Sequence, residues 1–410
     1  MTIATNAVVD VSDAGLPRID YETIDDPAAA HRIIKEVRRQ SPVAIGPHAP
    51  EVLSYELVRT VLRDSRFHQP GVRGLVPRGV TGGPLWDRIG SALLSLDGDE
   101  HTRLRKLVCK AFTGRAVGRL DSLIDAILAE LVDPVAAVGH CDIVADVAQP
   151  YPIPVICALF GAPRTDWRMI SDWTDDIFKM FWWDVAAHES EILTAWQKFD
   201  DYIDAMITDR RAALTDDLLS GLIRAEDDGD RLSHSELLML SMGILAAGTD
   251  TTRNQLAAAV DTFCDHPDQW ALLAAHPELV PQAVDEVMRF APIVLNVPRY
   301  VTEDVELSGF LFPRDSLVVA NTAAANRDPL VYDNPDQFDI TRQEAPPMLT
   351  FGGGVHYCLG SHLARLELVR ALTVLTQRMP NIRRTGPAPW KPLMAVSGPQ
   401  TLPVEFDAGH

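Results

Sequence analysis

The sequence is short of positive charge. Lys and Arg number 37 against 57 Asp and Glu, a formal net charge of −20. A surface this acidic opposes nucleic-acid binding, which needs cations against phosphates. It opposes docking on anionic membranes for the same reason. Cysteine is scarce as well, with five scattered residues: Cys109, Cys141, Cys157, Cys264 and Cys358. An odd and dispersed set in so long a chain does not make a disulfide framework. No Cys-x-x-Cys or His-x-x-x-His spacing occurs, which argues against a zinc site. No apolar stretch is read as reaching the roughly 18–20 residues that cross a bilayer. Met1 to Pro17 lacks the charged and then apolar pattern of a secretory leader. These absences predict a cytoplasmic monomer with no membrane and no nucleic-acid partner.

What is present is a large core. Hydrophobic residues make up 47% of the chain and charged residues 23%, so wholesale disorder is excluded. Helical spacing recurs at Asp26–Gln40, Thr102–Phe112, Leu120–Val132, Asp166–Lys179, Ala187–Leu214, Asp216–Ala225, Pro277–Phe290 and Leu359–Arg378. Ser233 and Glu236 predict a capping box ahead of a long helix from His234 to Phe263. Val297–Val301, Val305–Leu307 and Leu317–Ala320 read as short strands. Gln69 to Pro84 holds five glycines and reads as a long, mobile loop of the kind that is often functional. The expected fold is mostly α with a minor β part. Residues 1–17 form a polar tail and 18–410 one compact unit.

The stretch Phe351-Gly-Gly-Gly-Val-His-Tyr-Cys358-Leu-Gly360 carries the chemistry. Three consecutive glycines admit backbone conformations closed to other residues, and close approach of a flat ligand. Cys358 lies just before a predicted helix, whose positive end favours the metal-binding thiolate. Phosphate binding is the rival reading of such glycines. The Lys-Ser/Thr that it needs is missing, and no strand-glycine-helix dinucleotide fingerprint fits. A buried cysteine in a glycine-rich turn stays open on these residues alone.

The order Phe-Gly-x-Gly-x-His-x-Cys-x-Gly, met at every position from Phe351 to Gly360, resembles the haem-ligand signature of the cytochrome P450 family. The resemblance implies that the Cys358 thiolate holds the iron of haem b (iron protoporphyrin IX). Other segments agree with it in order. Ala247-Gly-Thr-Asp250-Thr251-Thr is a poor helix interior and resembles the family's oxygen-activation motif. That assigns Asp250 to proton delivery and Thr251 to stabilising the activated oxygen. His101, Arg105, Arg299 and His356 resemble the family's donors to the two haem propionates. Glu286 and Arg289 resemble its structural Glu-x-x-Arg pair. The usual third member of that pair's network stands in Pro-Asp-Arg-Phe, and here the stretch is Pro335-Asp336-Gln337-Phe338. Asp97-Gly98-Asp99 lacks the prolines often found before the histidine, which predicts a local loop change only.

The implied reaction inserts one oxygen atom from dioxygen into a hydrophobic small molecule, such as a terpenoid, an aromatic, a steroid or a lipid. Electrons come from a ferredoxin and its reductase, since no flavin or iron–sulfur module is present. Arg103, Lys106, Lys110 and Arg115 are candidates for the docking patch. The intact Asp250-Thr251 pair argues against the peroxide-driven branch of the family. Candidate pocket residues are Val76, Ile244, Leu245, Val294 and Asn296, with Ala247 beside the haem. Val72, Leu75, Trp86, Ile293, Leu295 and Val297 are further apolar candidates. Arg73 and Arg78 could anchor an acid. A non-catalytic haem sensor or carrier is the alternative, separated by reductant consumption linked to a bound organic molecule.

Overall fold

The computed structural model describes residues 8–227, 232–343 and 346–408. Local chemistry sets many of its helix starts. The Asp26 carboxylate accepts from the Ala28 amide at the head of Pro27–Gln40. Ser233 and Glu236 close the expected capping box on His234–Ala247. Three helices missing from the sequence reading, Pro84–Ser91, Pro152–Phe160 and Pro267–Ala275, each open on a proline. Proline breaks a helix interior but suits its first turn, where the lost N–H has no partner anyway.

The long central helix is two helices. His234–Ala247 ends at Gly248, and Asp250–Asp265 resumes after Thr249. Its first half is apolar on nearly every side, as a buried helix must be. It packs against Pro152–Phe160, Trp167–Phe178 and Glu189–Arg211. Ser361–Arg378 packs on Asp121–Ala136, Val280–Phe290 and Asp250–Asp265. The Cys loop therefore leads into a helix held from three sides.

The main sheet has five strands. Its centre is Leu317–Ala320, parallel to Pro50–Val52 and antiparallel to Val297–Val301. Val43–Ile45 and Phe67–His68 complete the edges. The three strands expected from sequence are found with the expected bounds. Two smaller sheets join distant segments. One sets Val9–Asp10 parallel to Phe310–Phe312, which corrects the loose tail expected through Pro17. Val11 is buried there, so an apolar residue and a strand ladder hold residues 9–11 to the body.

Two further expectations change. Gly71–Arg78, inside the glycine-rich stretch, is a 3₁₀ helix and not open loop. One run, Ile143–Phe160, has the length and mean hydropathy of 1.5 that could cross a membrane, against the reading that none does. Two-thirds of it is buried inside the fold, the disposition of a core segment.

Candidate active site

The Cys loop closes on itself. The Cys358 amide donates to the Phe351 carbonyl at 2.9 Å, and the Tyr357 amide to Gly354 at 3.2 Å. Gly354 has φ +64°, and a Cβ there would stand 2.7 Å from the Leu62 carbonyl oxygen. Only glycine meets both conditions. Gly360 caps Ser361–Arg378, so Cys358 stands just outside the helix mouth. Its side chain is accessible. The surrounding loop desolvates the thiol and pushes its pKa up, against the Gly360 amide, Arg105 and Arg365. Phe351 lies under the Arg365 guanidinium, 4.8 Å from ring centre to carbon.

Basic side chains from three segments gather beside this loop. The His101 and His356 rings stand 4.2 Å apart. Burial, then His356 and Arg105, pull the His101 pKa down to about 4. Arg105 donates to the Tyr357 carbonyl. Arg299, on the central sheet, is 4% exposed and makes no ion pair among the described residues. Its guanidinium donates to the neighbouring Pro298 carbonyl at 2.9 Å. Burial pulls its pKa down to about 10, while Asp97 opposes the shift. Asp97 is the acid of this cluster. It accepts from His356 at 2.8 Å and from the Gln69 amide at 2.8 Å. A buried guanidinium without an anion is costly, so this donor set suits a ligand bearing carboxylates. An accessible thiol beside it suits a metal. Together they fit an iron porphyrin with its two propionates.

The helix break supplies the other wall. A Cβ on Gly248 would lie 2.6 Å from Ile156 Cγ1, so close helix contact demands glycine there. Gly243 and Ala247 are the exposed residues of an otherwise largely buried stretch, and Thr251 is partly exposed. Their spacing of four puts all three on one face. The Thr251 hydroxyl donates to the Ala247 carbonyl at 2.9 Å. Asp250 is buried and paired with Arg253 and, at 3.4 Å, with Lys391. Arg253 also pairs with Asp175. These groups, with Phe178, Lys179, Trp182 and Val396, line a cleft of roughly 260 Å³. Thr252 donates to Glu367 at 3.4 Å. Glu367 is fully buried with its pKa pushed well up by desolvation.

A protein-family model for cytochrome P450 matches residues 51–273 and 267–379. The chain belongs to the cytochrome P450 family. Luteothin monooxygenase of Streptomyces thioluteus is 35% identical over 99% of this chain and 100% of its own. Mycinamicin IV hydroxylase/epoxidase of Micromonospora griseorubida is 40% identical over 88% of this chain and 90% of its own. The crystal structure of CalO2 superposes with TM-score 0.88 at 32% identity, over 96% of this chain and 100% of that one. This P450 is accordingly a monooxygenase of a haem-thiolate family.

Several side chains of the P450 stand elsewhere than expected. Leu245 is fully buried in the core and Ile244 nearly so. Leu245, two residues from both Gly243 and Ala247, lies on the opposite side of the helix from them, while Ile244, three residues before Ala247, borders the accessible face but is itself buried. Leu75, Ile293 and Leu295 are also core residues. Val76 is exposed, and Val294 and Asn296 are partly exposed. Arg78 is engaged, donating to the Met180 and Trp182 carbonyls. Arg73 lies over the Tyr300 ring. Glu286 and Arg289 pair at 2.7 Å and are buried. Their third member is Arg342, 3.1 Å from Glu286, while Gln337 contributes its backbone carbonyl to Arg289. Arg253, Arg342, Glu367 and Lys391 were not among the candidates. Each acts through space on a motif residue, and none lies in a motif of its own.

Proposed function

We propose that this P450 binds haem b through the Cys358 thiolate and inserts one oxygen atom into a hydrophobic small molecule, with electrons from a ferredoxin and its reductase. The buried Arg299, which makes no ion pair among the described residues and feels the Asp97 that holds His356 of the Cys loop, is the observation that carries the haem assignment. His101, Arg105, Arg299 and His356 hold the propionates, and Phe351, Gly360 and Ala247 border the ring. Bound haem supplies the oxygen chemistry. The chain's own residues govern protons. Asp250 takes protons from the cleft edged by Asp175, Lys179 and Lys391, and its two cations set how readily its carboxylate moves. Thr251, next in the chain, presents a hydroxyl that can donate and accept on the accessible face. The expected pocket residues are mostly apolar, which suits a terpenoid, aromatic, steroid or lipid guest. Lys106, Lys110 and Arg115 are exposed cations and suit the docking of an acidic ferredoxin, while Arg103 pairs with Glu236. Charge reversal at Lys106 and Lys110 should slow ferredoxin-driven turnover and flatten its salt dependence. An unchanged rate and salt slope removes the patch.

The deciding experiment is spectroscopic. Purified protein supplied with haem should show the red-shifted carbonyl Soret band of thiolate ligation, and Cys358→Ser should lose it. A panel of terpenoids, aromatic acids, steroids and fatty acids should contain one class that converts the ferric protein from low to high spin. A Cys358→Ser protein with an unaltered carbonyl spectrum overturns the ligand assignment.

A further inference from the structure

One wall of the Asp250 cleft is a segment held from two sides. Lys179–Phe181 and Val185–His188 are short 3₁₀ turns that join helix Trp167–Phe178 to helix Glu189–Arg211. Phe178, Lys179 and Trp182 line the cleft together with Asp250, Arg253 and Lys391. Arg78 donates to the Met180 and Trp182 carbonyls. The Trp183 ring stacks on His48, with centroids 3.4 Å apart and planes at 15°. His48 stands in the turn between strands Val43–Ile45 and Pro50–Val52. The segment 179–188 is therefore a strap along the cleft, tied to the body by a guanidinium and an imidazole.

The two ties differ in what they feel. Arg78 keeps its charge near neutrality, since burial lowers its pKa no further than about 10. Histidine gains its charge between about pH 8 and 5. A neutral imidazole on an indole face has stacking alone, and a charged one adds attraction to the negative ring face. Glu22 Oε2 lies 2.9 Å from His48 Nε2 and offers that charge a partner. A hydrogen bond in the ring plane and a stack on the ring face use different parts of the imidazole, so both hold at once. Glu22 belongs to the body with His48. Among the described polar and ring contacts of His48, the indole alone leaves when the strap lifts.

From this arrangement we propose that His48 and Trp183 form a pH-sensitive latch: protonation of His48 tightens the strap over the cleft, and loss of that proton slackens it. The strap is tightest at acid pH, and passage of a ligand past it speeds up as pH rises. The other titrating groups nearby are separable. His188 packs edge-on against Trp182 at 5.1 Å and pairs with Asp184 at 3.5 Å and Glu191 at 3.3 Å. All four lie in the strap or the helix after it, so they stiffen the strap without fastening it to the body. Lys179, its pKa raised by Asp176 and Glu191, stays charged. Arginine does not titrate here, which sets aside Arg18 at the foot of the His48 turn. Behind Glu22, Glu51 accepts from the Tyr21 hydroxyl at 3.0 Å and from Asn321 Nδ2 at 2.9 Å, and Asn296 Nδ2 donates to that hydroxyl at 2.7 Å. Burial raises the Glu51 pKa to about 7, with Glu22 and Asp20 adding repulsion. That carboxyl titrates in histidine's range, and a substitution of His48 leaves it in place.

Two readouts test the latch, and one needs no haem. Protein labelled with 5-fluorotryptophan gives a fluorine resonance for Trp183, assigned with Trp183→Phe. It should move between about pH 5.5 and about pH 8.5 in the parent. It should stay fixed in His48→Phe, which keeps a ring for stacking and removes the charge. In haem-loaded ferrous protein, escape of a long-chain alkyl isocyanide, which carries no titrating group, should be roughly two- to five-fold faster at the higher pH. Carbon monoxide, small enough to pass a closed strap, is the control. His48→Phe should make isocyanide escape independent of pH, and Trp183→Leu, which removes the other ring, should do the same. His188→Gln should leave the parent's pH dependence in place. A dependence that survives His48→Phe overturns the proposal. So does one that His188→Gln abolishes, or a parent whose escape rate does not change with pH. Failure of the haem reading is distinct, since no Soret band then reports the isocyanide. The fluorine resonance still decides: movement that His48→Phe abolishes supports the latch, and a resonance fixed with pH overturns it.

Discussion

Single residues in this chain answer to opposite demands, and two substitutions separate them. Gly248 serves packing. Its φ of −78° is open to any residue, but a Cβ would meet Ile156 at 2.6 Å. Gly248→Ala should destabilise by about 1–3 kcal/mol through overpacking, read as a lower midpoint in urea. Thr251 serves chemistry. Among the described residues its hydroxyl bonds within its own helix turn, so Thr251→Ala should leave stability nearly unchanged. Product formation should drop by on the order of 100-fold while reductant is still consumed and peroxide released. Measured coupling that stays complete removes Thr251 from its role. Cys358, Asp250 and Thr251 were legible as candidates because their neighbours break ordinary local preferences. Leu245 was misplaced because helical spacing tells which residues share a face but not which face meets the cavity. Only the packing against Pro152–Phe160 and Glu189–Arg211 settles that.

At the scale of elements, the sequence marked where helices and strands lie better than what ties them together. His234 to Phe263 was expected as one long helix, and the structure has two helices with separate ends at Gly248 and Thr249. With glutamine at 337, the usual third cation of the Glu-x-x-Arg network is missing from its expected place. Arg342 supplies the missing cation from five residues further on, and it also donates to the Asp333, Asn334 and Gln337 carbonyls. A contact made around a turn leaves no periodic trace, which is why it could not be read beforehand. Arg342→Leu should therefore loosen the segment around 333–342 as well as Glu286. Arg289 stays to hold the carboxylate, so the cost should be about 2–3 kcal/mol, short of a fully orphaned buried charge. Chemical denaturation measures it. An unchanged midpoint shows that Gln337 and Arg289 suffice.

For the whole molecule, the polar cluster around Glu51 links stability to pH. Glu51 belongs to the central sheet, Tyr21 to the N-terminal segment, and Asn296 and Asn321 flank one end of the antiparallel strand pair that carries Arg299. Among the described residues no Lys or Arg pairs with the buried carboxyl, and Glu22 and Asp20 add repulsion. Burial raises its pKa from 4.5 to about 7. A carboxyl with a raised folded pKa favours the folded state when protonated. Its contribution is whole below the unfolded value of 4.5, falls as pH rises toward 7, and is gone above that. The span corresponds to about 3 kcal/mol. Glu51→Gln keeps the shape and an acceptor oxygen for Tyr21 while removing the titration. Other groups slope the opposite way over part of this range. His101, held neutral down to about pH 4, adds stability as pH rises through 6.5. The difference between parent and variant cancels such terms. Measured by urea denaturation from pH 4 to pH 8, the parent should lose about 3 kcal/mol relative to Glu51→Gln, most of it between pH 5 and 7. A difference that does not change with pH means that Glu51 titrates as an ordinary carboxylate, and that a cation or water reaches it inside the fold.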